Sequence, residues 1–93
     1  MTVATISMVD GPALLDIVLA ATATVMEVSQ AELSSATALV ADLEADSLAV
    51  IEIVEVTEEE LRGHGVFVRV DDTTLARLTT LEDLVTALKG TVG

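Results

Sequence analysis

Residues 46–61 read Asp46-Ser47-Leu48-Ala49-Val50-Ile51-Glu52-Ile53-Val54-Glu55-Val56-Thr57-Glu58-Glu59-Glu60-Leu61. Wound as a helix, Val50, Ile53, Val54, Thr57 and Leu61 share one arc of about 100°. This is the core face of a helix over 47–61. The adjoining arc carries Ser47, Leu48, Ile51, Glu52, Glu55, Glu58 and Glu59, with Ala49, Val56 and Glu60 behind. A helix selected for stability alone is not written this way. Glu52–Glu55, Glu55–Glu58 and Glu55–Glu59 are like-charge neighbours, each unfavourable by roughly 0.2–0.5 kcal/mol. Glu58 to Glu60 also oppose the helix dipole. Leu48 and Ile51 inside an acidic ring instead suit a docking face, where charge steers a partner and aliphatic area holds it.

Outward from this helix the pattern stays helical. Asp10-Gly11-Pro12 is a helix start, with Asp10 as cap and Pro12 in the first turn. Leu14, Leu15, Val18, Leu19, Val25 and Met26, with Thr22 filling the stripe, predict a first helix over about 11–27. Residues 1–9 carry no signal and read as a loose lead. Residues 28–46 break the period. Ser29 and Glu32 have capping-box spacing for one short turn, and Leu33, Leu39, Val40 and Leu43 pin a long connection. After Gly63-His64-Gly65, Val66 to Val70 alternate in a way that suits a short extended segment. Asp71 or Asp72 starts a brief helical turn with Leu75 and Leu78 inward. Thr79 or Thr80 caps a last helix, whose stripe is Leu81, Leu84, Val85 and Leu88 and whose stop is Gly90.

The bulk properties bound the function. Ninety-three residues supply one small domain, too short for an enzyme with a deep pocket of its own. Hydrophobic residues make up 52% and aromatics 1%, so the core is aliphatic. Net charge is −12, and it is polarised: the first 60 residues hold 12 acids and no Lys or Arg, and the last 33 hold 4 of each. Such a chain repels nucleic acid and anionic membrane and attracts a basic protein surface. There is no Cys for a disulfide, and one His cannot make a metal site. No secretory signal or bilayer-length apolar run is present. A cytoplasmic, soluble protein is expected.

Ser47 is ambiguous on physics alone. A Ser at a helix start is usually a cap. No base is placed by the local sequence to activate it, and no G-x-S-x-G elbow surrounds it. A triad with His64 would need a pocket and an oxyanion hole that so short a chain hardly supplies. The stronger reading is a surface hydroxyl modified by another enzyme, with the helix N-terminus favouring the phosphate so added.

The stretch Asp42-Leu43-Glu44-Ala45-Asp46-Ser47-Leu48 resembles the phosphopantetheine attachment motif D-L-G-x-D-S-L of acyl carrier proteins. Val28 to Leu61 is similar to that family's loop and second helix without a gap, and Thr79-Thr80-Leu81 to the start of its last helix. The resemblance implies an all-α fold: a small four-helix bundle with a long loop between helices 1 and 2 and a short third helix. It implies one domain over 1–93, with the bundle over 10–90. It implies 4′-phosphopantetheine from coenzyme A on Ser47, flanked by Asp46 and Leu48, and no catalysis by the chain itself. Leu48, Ile51, Glu52, Glu55, Glu58 and Glu59 are then the partner-binding face. The acyl chain would be sheltered by Val50, Ile53, Val54, Thr57, Leu75 and Leu78.

Implied partners are a phosphopantetheinyl transferase, an acyltransferase or acyl-ligase, a ketosynthase and tailoring enzymes, all met through basic surfaces. No metal, nucleic acid or membrane is implied, and a free-standing monomer is expected. Three departures stand out. Glu44 replaces the motif's Gly, Glu55 replaces a frequent apolar docking residue, and residues 62–70 exceed the usual loop. They favour a carrier for polyketide or other specialised natural-product assembly over the fatty-acid carrier. The alternative from another class is an unmodified helical interaction domain in which Ser47 is only a cap. On the cap reading, Ser47→Ala should cost about 1 kcal/mol.

Overall fold

The computed structural model describes residues 11–92, without the side chains of residues 11, 12 and 90–92. The loose lead over 1–9 and the cap at Asp10 lie outside the described residues. Among those residues the chain is helical, with no strand. Four α-helices follow in order: α1 (Gly11–Met26), α2 (Ser47–Gly63), α3 (Asp72–Leu75) and α4 (Leu81–Val92). A single 3-10 turn, Gln30–Glu32, lies between α1 and α2, capped by Ser29, whose hydroxyl accepts from the Ala31 amide.

α1 forms because its apolar residues fall on one stripe. Leu14, Val18, Ala21 and Thr22 are buried, and Leu15, Leu19, Val25 and Met26 pack partly against the core. α1 lies against both α2 and α4 and touches the 3-10 turn. α2 contributes Ile53, Val54, Thr57 and Leu61, and α4 contributes Leu81, Leu84, Val85 and Leu88. Each such aliphatic side chain, once fully buried, adds roughly 1.5–3 kcal/mol. The two buried threonines keep their hydroxyls satisfied within their own helices. Thr22 donates to the Val18 carbonyl and Thr57 to that of Ile53, each at 2.8 Å.

The connection over 27–46 is tied down by backbone. Its Leu39 amide donates to Thr79 at 2.8 Å, and the amides of Leu81 and Glu82 donate to Thr37 and Ser35. Ala38 and Thr80 form an isolated antiparallel bridge. Leu33 and Leu39 are buried from this segment, whereas Val40 is exposed.

Besides Val40, the structure differs from the sequence reading at the ends of two helices and at the cap of α2. α2 runs two residues beyond Leu61, to Gly63. Val66 to Val70, expected as a short extended segment, forms neither helix nor a paired strand. Gly90 does not stop the last helix, which continues to Val92. A helical Gly costs about 1 kcal/mol against Ala, which weakens a last turn without ending it. Ser47 is not the cap of α2. Asp46 is the N-cap, and its carboxylate accepts from the Ala49 amide at 2.8 Å.

Candidate functional site

The segment before α2 folds so that Ser47 stands clear. Asp42 accepts from the Ala38 amide at 2.8 Å, which closes a tight turn. Glu44 then takes φ 55°, the left-handed region. That conformation is nearly free for glycine and unfavourable for a side chain with a Cβ. It explains why a glycine suits this position of the motif. Past that turn Ala45 is buried, with its amide on the Leu39 carbonyl at 2.9 Å. Asp46 emerges extended at φ −83° and ψ 179° and caps the helix.

Ser47 is therefore the first residue of α2, exposed, and its hydroxyl has no hydrogen-bond partner among the described residues. The amides of Ser47 and Leu48 are also without an internal partner. A phosphodiester on Oγ of Ser47 would have these two donors and the positive end of the helix to hold it. The residues present thus fit a phosphate-linked group. They do not fit a hydrolase. His64 sits at the far end of α2, where its Nε2 lies 3.5 Å from a Glu60 carboxylate oxygen. At 1.5 Å per residue it is about 25 Å along the axis from Ser47.

A family model described as the phosphopantetheine attachment site matches residues 16–88. The chain belongs to that family. Domains of this family are carriers rather than catalysts, and the group that they hold is covalently bound 4′-phosphopantetheine. A comparison with curated proteins returns no significant match.

Around Ser47, Leu48 is 67% and Ile51 39% exposed, and Glu52, Glu55 and Glu59 are exposed. Glu58 behaves differently. It is half-buried, and its carboxylate accepts from the Val70 amide at 2.9 Å, so it anchors the segment after α2. Between α2 and that segment lies an open groove of about 910 Å³. Of the expected docking residues it is lined by Ile51, Glu55, Glu58 and Glu59, and of the expected shelter residues by Val54 and Leu75. Val50 and Leu78 pack partly against the core, and Ile53 and Thr57 are wholly within the fold.

Residues not singled out as site candidates in the sequence complete the groove: Arg62, Phe67, Val68, Arg69, Val70 and Asp72. The alternation at Val66, Val68 and Val70 was the available signal. Val70 is buried and Val66 and Val68 half-buried, which turns Phe67 outward, 77% exposed. Two capping acids frame the rest. The Thr74 amide and hydroxyl hold the Asp71 carboxyl below its ordinary value, and the Thr80 and Thr79 amides do the same for Asp83. Asp83 accepts from those two amides at 3.0 and 2.9 Å, and Thr80 accepts from the Asp83 amide, giving a reciprocal cap on α4. Among the described residues no cluster of ligating side chains is suited to a metal ion. No helix there is long and apolar enough to cross a membrane.

Proposed function

We propose that the chain is a single-domain acyl carrier whose phosphopantetheine arm is joined to Ser47, and that it serves polyketide or other specialised natural-product assembly. The observation that carries the attachment is Ser47 itself. It opens α2 with a free, exposed hydroxyl, while Asp46 performs the capping that a bystander serine would perform. This weighs against the unmodified interaction domain. The arm presents an acyl group as a thioester, and the chain's own side chains bind and orient it. The helices take the family's four-helix bundle plan, with the connection over 27–46 as its long loop.

Leu48, Ile51, Glu52, Glu55 and Glu59 form the surface offered to basic partner enzymes, and Glu58 contributes charge from a fixed position. The partners are a phosphopantetheinyl transferase, an acyltransferase or acyl-ligase, a ketosynthase and tailoring enzymes. The assembly context rests on the residues that depart from the usual pattern, Glu44, Glu55 and the segment 62–70. The carrier itself is a cytoplasmic monomer.

The test is intact mass after incubation with coenzyme A and a broad-specificity phosphopantetheinyl transferase. The wild type should gain one phosphopantetheine and Ser47→Ala none. A gain that persists in Ser47→Ala would refute the assignment. Loading should slow as salt rises and on charge reversal at Glu52 or Glu59.

A further inference from the structure

On the side of α2 that faces away from Ser47, α1 and α2 meet along a shallow groove of about 270 Å³. Its floor is apolar: Ile17, Ala20 and Ala21 from α1 and Val56 from α2. Val56 is 36% exposed. At about 100° and 1.5 Å per residue it lies opposite Ser47 on the helix and roughly 14 Å along the axis. Ile17, Ala20, Ala21 and Thr24 stand at i, i+3, i+4 and i+7 on α1, the spacing that frames a hole for one side chain of an apposed helix. The Thr24 hydroxyl already donates to the Ala20 carbonyl at 3.0 Å, so the hole requires no polar group. The rim is acidic from both helices. Asp16 is exposed and has no hydrogen bond or ion pair among the described residues. Glu60 lies 3.5 Å from His64, both side chains being more than half exposed. No Lys or Arg precedes Arg62, so α1 carries no cation to neutralise this rim.

These features select the occupant. The volume falls below the roughly 300–1,000 Å³ of sites that enclose a small ligand, whereas an inserted aliphatic side chain fits. The acidic rim repels nucleic acid and anionic membrane, and it repels the same face of a second copy of this chain. A helix with an aliphatic knob on one face and Lys or Arg on either side of it matches floor and rim together. We propose that this groove docks a basic amphipathic helix of a partner protein. Because the groove lies on the far side of α2 from Ser47 and Ile51, that partner holds the chain while Ser47 stays open to another enzyme. The inference goes beyond the carrier reading and does not depend on it.

The probe is a synthetic peptide of roughly 18 residues, long enough to form a helix alone, with leucines one turn apart on one face and lysines beside them. It is titrated into the isotope-labelled full chain and followed by NMR. Amide shifts should concentrate at Ile17, Ala20, Thr24 and Val56 rather than at Leu48 and Ile51. Exchanging the peptide's central leucine for serine should weaken binding roughly tenfold. Ala20→Arg fills the hole with a cation and should weaken it by at least about as much, with circular dichroism checking that this exposed substitution leaves the fold intact. Asp16→Lys should weaken binding roughly threefold, and Glu59→Lys, the same change of charge on the Leu48–Ile51 face, by less than about twofold. Protein carrying phosphopantetheine on Ser47 should bind the peptide as unmodified protein does. Shifts that gather on the Leu48–Ile51 face or spread over the surface, equal weakening by Asp16→Lys and Glu59→Lys, dimerisation of the chain through this groove, or no binding at all overturns the inference. The carrier reading is judged separately, by the mass gain at Ser47, and survives each of these outcomes.

Discussion

Replacing Glu44 by Gly should stabilise the protein. Glu44 is held at φ 55°, where an L-residue is unfavourable by roughly 1–2 kcal/mol. Its side chain is exposed and makes no hydrogen bond or ion pair that the substitution would forfeit. The bonds on either side of it use main-chain atoms. The Glu44 amide donates to Val40 at 3.0 Å and the Ala45 amide to Leu39 at 2.9 Å, so both survive. Against this stands the greater freedom of a glycine in the unfolded chain, about 0.5–1 kcal/mol. The net gain is roughly 0.5–1 kcal/mol, which for a domain of this size raises Tm by about 2–8 °C. Thermal and urea unfolding followed by circular dichroism measure it. The substitution also removes a charge between Asp42 and Asp46, so Glu44→Gln is the control: it keeps the Cβ and loses the charge. The reasoning requires Gly to exceed Gln clearly, and Glu44→Val to fall below wild type because a β-branched residue tolerates this backbone least. A Gly variant no more stable than the Gln variant would refute the strain argument.

Glu27 supplies an independent instance of the same strain at φ 57° just past α1, where the Val28 amide returns to the Ala23 carbonyl; Glu27→Gly should add a similar increment. Ser47→Ala should leave Tm within experimental error, while Asp46→Ala should lose about 1 kcal/mol, because the cap is Asp46. Glu58→Ala should accelerate hydrogen exchange at the Val70 amide and lower stability by about 1 kcal/mol, whereas Glu59→Ala should do neither. The Asp71 and Asp83 carboxyls are lowered from 3.8 in the fold, so their contribution is complete above that value. It declines as pH falls below 3.8 and is gone below their lowered folded values. Acid unfolding of Asp83→Asn should therefore show a shallower decline than that of wild type over this range.

Much of the architecture was legible in the order of side chains. Ile53, Val54, Thr57 and Leu61 fall on one arc of an ideal helix, and they are the residues that α2 buries. Leu81, Leu84, Val85 and Leu88 repeat the point in α4. The exposure of Ser47 was legible too, from its place on the outer arc. Periodicity works here because burial of a helix face depends on angles set within a single element. The identity of the cap was less accessible. Asp46 and Ser47 are both good capping residues, and the choice turned on an extended backbone at Asp46 set by the Glu44 turn and the burial of Ala45.

By itself, the sequence determined the helical elements, their apolar faces, the polarised charge and the motif around Ser47, since each of these depends on neighbours within a few residues. Tertiary structure alone decided what distant segments do to one another. It set the start of α4 against the connection through Leu39–Thr79 and Leu81–Thr37. It turned Glu58 from one acid among several into the anchor of Val70, twelve residues away. That anchoring brings Phe67 and Arg69 to the groove that Ile51, Val54 and Arg62 line from α2. Such pairings join residues on separate elements, and their positions follow from packing of the whole chain, which no local spacing encodes.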